Sequence, residues 1–308
     1  MSVYTYRIKN VTDFFLISQK FENYVFRGQQ NANWSLESKL ERDGRQFGFS
    51  NLEIYERLIL NKFKTNLNLF SHSVGPFTED VDWLALVQHH GGPTRLLDFT
   101  QSLFIALHFA DVIEKSDSVQ NQEFDAAIWA FNLDGFNQAN ESELYRDYGR
   151  KLVRMSPNDQ LFDHNYKMAV RCFRGGMFGP NILVVRPRLG NQRLLIQQGI
   201  FLMPTDLNES FLQNLQEIEN TKLGNDLMGT DDIQENRVED LEGFLGIKRP
   251  IYTKILIPNS KELRNDIMLM LGKMNITDAT MFPGLDGFAK SLRNDLEFFE
   301  PIYRNQTE

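Results

Sequence analysis

The chain has 308 residues, 42% hydrophobic and 24% charged, proportions that exclude global disorder, a collagen-like repeat and a bare coiled coil. Its 33 Lys and Arg against 41 Asp and Glu leave a net charge of −8, which argues against polyanion binding by bulk electrostatics but leaves room for a local basic pocket. A single cysteine, Cys172, excludes an internal disulfide and a Cys-based zinc site, and with no apolar run of signal or membrane-span length the expectation is a soluble, cytoplasmic protein with no membrane contact.

The predicted elements begin with a helix on Val11, Phe14, Phe15 and Ile17, then a short strand, Tyr24-Val25-Phe26, stopped by Gly28. Ser50-Asn51-Leu52-Glu53 has the pattern of a capping box, and Leu52, Tyr55, Ile59, Phe63 and Leu67 follow it at helical spacing. A short helix over 83–89 ends at Gly91-Gly92-Pro93. A brief strand over 96–100 leads into a helix over 102–113, for which Asp98 and Thr100 are suitable N-caps. Strands are expected over 125–133, 181–185, 192–203 and 251–257, and a helix from a cap at Ser260 to Leu271. Segments 134–163 and 206–248 are polar or acidic and weakly patterned, which suits insertions. Helices lead and strands cluster later, without steady alternation. That order predicts an α+β fold, a single domain over 1–308 with a mixed, mainly antiparallel sheet flanked by helices.

Three clusters carry chemistry. In Phe26-Arg27-Gly28-Gln29-Gln30 an arginine at a strand end can present its planar fork to a phosphate or carboxylate, and the glycine allows a ligand to approach closely. A strand-end salt bridge would use the same arginine. The second cluster runs from Gln88 to Thr100. Its adjacent His89 and His90 point in different directions on a helix and make no chelate. The Gly-Gly-Pro-Thr turn offers backbone amides to an anion, Thr94 and Arg95 add polar and positive groups, and Asp98 can orient Arg95 or bind a ribose hydroxyl. Simple capping and an Arg95–Asp98 pair are the plainer alternative. In the third cluster, Arg193 to Phe201, two glutamines sit within an apolar run, and Gln198 can face a pocket beside Gly199 or bond a neighbouring strand.

No phosphate-binding G-x-x-x-x-G-K-[ST], no G-x-G-x-x-G after a strand and no G-x-S-x-G occurs. Cys172 beside Phe173 suits a core position better than a nucleophile.

Taken together, the clusters resemble the FRG domain family. The resemblance lies in Phe26-Arg27-Gly28, the Gln88 to Thr100 block, Ala106-Leu107-His108-Phe109-Ala110 and Gln197-Gln198-Gly199-Ile200-Phe201, with Thr280-Met281-Phe282-Pro283-Gly284-Leu285-Asp286-Gly287 similar to that family's end signature. It spans residues 20 to 295. The departures are Gly92 where a Leu is usual, Phe99 where a Trp is usual, and His108 in place of an aromatic residue. Members look like bacterial proteins of stress and anti-phage settings. The layout is also similar to the arginine-first ADP-ribosyltransferases, which implies an NAD-consuming enzyme, a transferase or an NAD hydrolase with toxin-like activity and no metal. By that resemblance Arg27, Gly28, Gln29, Thr94, Arg95, Thr100 and Ser102 bind NAD, and Arg27, His89, Asp98 and Gln198 serve the reaction. Gln198 stands near the family's glutamate. A glutamine bonds a ribose hydroxyl but stabilises no positive charge, so Asp98 or Asp286 is the implied acid. The same resemblance implies a macromolecular acceptor and an inhibitory or activating protein partner. Two other readings stay open: a non-catalytic nucleotide or RNA sensor, and a metal-dependent nuclease using His89, Asp98 and a further acid.

Overall fold

The computed structural model describes residues 5–70, 77–110, 124–141, 144, 155–176, 178–188, 192–218, 251–285, 287–289 and 291–292. Its strands are β1 (Thr5–Arg7), β2 (Tyr24–Gln29), β3 (Leu97–Thr100), β4 (Ala126–Asn132), β5 (Ile182–Val185), β6 (Gly199–Pro204) and β7 (Tyr252–Ile257). They form one sheet in the order β1-β7-β4-β2-β3-β6-β5. β1 runs parallel to β7 and the other neighbours are antiparallel. The fold is therefore α+β around a mixed, mainly antiparallel sheet, as the element order predicts. β4, Ala-Ala-Ile-Trp-Ala-Phe-Asn, is buried at every position, because helices on one face, and helices together with the loop that carries Ala32 on the other, leave no side of the strand to water.

The helices are α1 (Val11–Ser18), α2 (Lys39–Phe47), α3 (Leu52–Asn66), α4 (Asp80–His89), α5 (Leu103–Phe109), α6 (Leu133–Ala139), α7 (Pro157–Phe173), α8 (Gln192–Ile196), α9 (Phe211–Ile218), α10 (Lys261–Lys273) and α11 (Asp278–Met281). Three predicted local features come out differently. The cap of α3 is Asn51, whose side chain accepts from the Ile54 amide at 3.0 Å, and not Ser50. The cap of α5 is Ser102, accepting from the Ile105 amide, while Asp98 and Thr100 belong to β3. The predicted strand over 192–203 is a helical turn, α8, followed by a strand that starts at Gly199. The chain reverses between them at Gln198, whose φ of 48° lies in the left-handed region. The apolar Leu194-Leu195-Ile196 run is what suggests a strand, yet Leu195 is 79% exposed.

The described parts of the two weakly patterned segments hold core residues. α6 and α7 bury Phe136, Ala139, Leu161 and Phe162, and α9 buries Phe211, Leu215 and Ile218. Residues 142–143, 145–154 and 219–250 lie outside the described residues.

Strand register sorts the core by face. Residues opposite one another in a ladder point the same way, so Phe26, Ile128, Ala130, Ile255 and Ile257 share one face, where α1, α5 and α10 cover them. Farther along the same face, Val185, Phe201 and Met203 pack under α3 and α4. The opposite face, with Val25, Phe99, Phe131, Val184 and Leu202, lies under α6, α7 and α9. The first face is thus covered by two separate groups of helices. Between them lies β3.

Candidate functional site

β3 carries Asp98 and Thr100 on the face where the two helix groups part. Phe26 on β2 and Phe201 on β6 stand on either side, since Phe26 pairs with Thr100 and Asp98 with Phe201. β2 and β3 share that one pair and then diverge, while each stays paired to its other neighbour, β2 to β4 and β3 to β6. The divergence opens a cleft. Its larger lobe, about 270 Å³, is lined by Arg27, Gly28, Asp98, Thr100, Phe109 and Arg193 among others. A smaller lobe of about 100 Å³ is lined by Gln88 and His89 and shares Asp98, Arg193, Leu194, Gln197 and Phe201 with the first.

Arg27 bridges the opening. Its Nη1 donates to the Asp98 carbonyl oxygen at 2.8 Å, its Nε is buried with no hydrogen-bond acceptor, and no carboxylate pairs with it among the described residues. Burial holds the guanidinium below its ordinary pKa; the Asp98 charge pulls the other way and that of Arg42 adds to the depression. A buried, charged donor without an acceptor costs free energy that an anionic ligand would recover.

The Asp98 carboxylate is held from one side. Thr94 Oγ1 donates to Gln88 Oε1 at 2.5 Å, and Gln88 Nε2 donates to Asp98 Oδ2 at 2.6 Å. This relay explains the spacing of glutamine, threonine and aspartate across the turn from α4 to β3. It leaves Oδ1 open on an exposed side chain. His89 lies beside it, its imidazole held below the ordinary value by burial, by His90 and by Arg193, against an opposing pull from Asp98.

Thr100 is buried and ties three segments together. Its hydroxyl donates to the Gln197 carbonyl at 2.7 Å and accepts from the Ser102 amide at 3.1 Å. Of the remaining expected site residues, several are occupied elsewhere. Arg95 is buried against Glu56, with Nε to Oε2 at 2.8 Å, and lies on the ring of Phe173, so it pairs neither with Asp98 nor with a cleft ligand. Gln29 accepts from Trp129 Nε1 at 2.8 Å and donates to the Ser35 carbonyl. Ser102 caps α5. Gly28 lines the cleft, but a Cβ there would run into the backbone of α5 at Ala106 and Ala110, so its close approach is to the helix. Gln198 is exposed, and Gln197, one residue earlier, reaches the cleft instead. Asp286 lies outside the described residues.

Sequence reasoning missed Arg193 as a cleft cation. It comes from α8 on the far side of Asp98, and burial lowers its pKa against the pull of that aspartate. Nothing local marks it, because its role depends on the turn at Gln198. Cys172 packs half-buried beside Phe173, its thiol pushed up to about 11 by burial, which suits a core residue. No group of three or more His, Cys, Asp or Glu side chains suited to a metal occurs among the described residues, and no helix among them is long and apolar enough to cross a membrane.

Residues 22–119 match the FRG domain, a span that carries Arg27, His89, Asp98 and Thr100. No curated protein and no solved structure matches the chain.

Proposed function

We propose, from the premise that this chain is an FRG-domain protein, that its cleft binds a nucleotide through phosphate and that the nucleotide is NAD, consumed by cleavage of its nicotinamide–ribose bond. The observation that carries the reading is Arg27: a half-buried side chain whose Nε is buried and bare, opening into the same cavity as a fixed carboxylate. That fork matches a phosphate or a carboxylate, and phosphate is the anion a nucleotide carries. With a phosphate on Arg27, Asp98 is placed to meet the adjoining ribose.

In this mechanism the bond from ribose C1′ to the pyridinium nitrogen breaks and its electron pair leaves with neutral nicotinamide. Positive charge develops on the ribose, where the open oxygen of Asp98 stabilises it more than the ground state, which is what lowers a barrier. The Gln88 relay fixes that oxygen beforehand. Water or an acceptor hydroxyl then attacks C1′ and gives its proton to His89, whose depressed pKa keeps it neutral and able to accept. Phe26, Phe109 and Phe201 line the cleft with rings suited to flat heterocycles.

The test is nicotinamide release from NAD by the purified protein, with and without lysate as acceptor source. Release is expected from the wild type, with a loss of about a hundredfold or more in Arg27→Ala and Asp98→Asn, the scale of a lost electrostatic catalytic contact. ADP-ribose on macromolecules distinguishes transfer from hydrolysis. A second reading, a nucleotide sensor without turnover, is favoured by one observation: Asp98 is the sole acid lining the two lobes among the described residues, and Gln198 faces away. Binding without release would select it.

A further inference from the structure

The C-terminal motif Thr280 to Gly287 has so far no role, and its described part sits at the rim of the cleft. α11 is anchored there twice. His108 Nε2 of α5 lies 3.1 Å from Asp278 Oδ1, and Gln197 Nε2 donates to the Met281 carbonyl at 2.9 Å. The next residue, Phe282, stacks edge-on to Phe109 at 6.0 Å and lies under the guanidinium of Arg193 at 4.5 Å. That ring is the sole partner of the Arg193 side chain among the described residues. The side chain is half-buried, has no ion pair and no hydrogen bond among the described residues, and lines both lobes of the cleft. A guanidinium resting on an aromatic face keeps its N–H edges free to point sideways. Here sideways is into the cavity that Arg27 also lines.

We infer that Arg193, positioned by Phe282, is the second anion contact of the cleft, so that the cleft takes two linked phosphates and distinguishes them from one. The inference rests on the phosphate reading of Arg27 and deepens it: it names the side chains by which the cleft selects a pyrophosphate over a single phosphate, and gives the C-terminal motif a physical role. A single phosphate engages Arg27 alone. A pyrophosphate spans both cations, and Asp98, whose charge both arginines feel, lines the same cavity. Phe282 acts through Arg193 and is a positioning residue.

The experiment is calorimetric titration of the full chain with inorganic pyrophosphate and with orthophosphate, at one low ionic strength. In the wild type, pyrophosphate is expected to bind tighter by about tenfold to a hundredfold, the range of one added charge-assisted contact. Arg193→Ala removes that preference and leaves orthophosphate unchanged. Phe282→Ala does the same, Phe282→Tyr restores it by keeping the ring, and the double variant is no weaker than Arg193→Ala alone, because both act on one contact. Thermal unfolding of each variant separates loss of binding from loss of fold. Equal binding of the two anions by the wild type overturns the inference, as does an equal loss of both in Arg193→Ala or an intact preference in Phe282→Ala. A protein that shows the expected pattern but releases no nicotinamide keeps the inference and removes the enzyme reading. One that releases nicotinamide with an unchanged KM in Arg193→Ala keeps the enzyme reading and overturns the inference.

Discussion

A guanidinium taken out of water loses strong hydration, and Arg27 regains one carbonyl contact for it. Arg95, its neighbour in the expected site, is satisfied in full by Glu56 and two backbone carbonyls, which is the pattern of a structural arginine. The contrast between the two separates a ligand-binding cation from a scaffold one. His89 reports on the same field. Its imidazole is lowered first by burial, then by His90 and Arg193, and raised by Asp98. Removing Arg193 as alanine is therefore expected to raise the His89 midpoint, and Asp98→Asn to lower it, read from imidazole NMR titrations. Shifts in the same direction, or none, would show that these charges do not meet at His89. The sign for stability follows from the same depression. The unfolded histidine titrates near the ordinary value of about 6.5, so the contribution is intact above that pH. It is lost as pH falls toward the lower folded value, because the unfolded chain takes up its proton first.

β2 and β3 create the cleft by parting, and α5 keeps them where they are. Gly28 lets α5 lie so close to β2 that a methyl group would strike the Ala106 carbonyl and the Ala110 amide, both of them helix backbone. Gly28→Ala is expected to destabilise the protein by about 3 kcal/mol or more, at or beyond the upper end of the usual cost of overpacking. Urea unfolding measures it. A loss below about 1 kcal/mol would mean that α5 can move aside cheaply and does not fix the cleft wall. Much of this arrangement is legible in the sequence because it is local. Helical spacing locates α3, and one short block from Gln88 to Thr100 holds the relay, the acid and the end of β3. The Ser38-Lys39-Leu40-Glu41 capping box of α2 and the Ser156 cap before Pro157 at the start of α7 are equally local signals that the predicted elements above do not include. What is not legible depends on distant chain. The partner of Arg95 is 39 residues away. The choice between Gln197 and Gln198 turns on a single left-handed residue, and an apolar triplet gives no sign that it is a helical turn and not a strand.

The site is assembled from three stretches of chain that the sheet order brings together. Arg27, His89, Asp98 and Thr100 come from residues 22–119, Arg193 and Gln197 from the α8–β6 connection, and Phe282 from the segment after α11. Among the described residues of 22–119 the strands are β2 and β3, which share one pair and depend for the rest of their ladders on β4 and β6. Their facing core residues also lie outside that span: Phe131 against Phe99 at 5.1 Å, Trp129 against Gln29, and Ile255 and Leu263 within the cluster of Phe26. An isolated strand pair with unpaired edges and half a core is too small to offset chain entropy. A fragment of residues 22–119 is therefore expected to show no cooperative urea transition and no near-ultraviolet circular dichroism, whereas the full chain shows both. A sharp transition in the fragment would mean that the matched span is an independent domain. The cleft would then be an interface added to it, and Arg193 and Phe282 would be accessories to a site already formed without them.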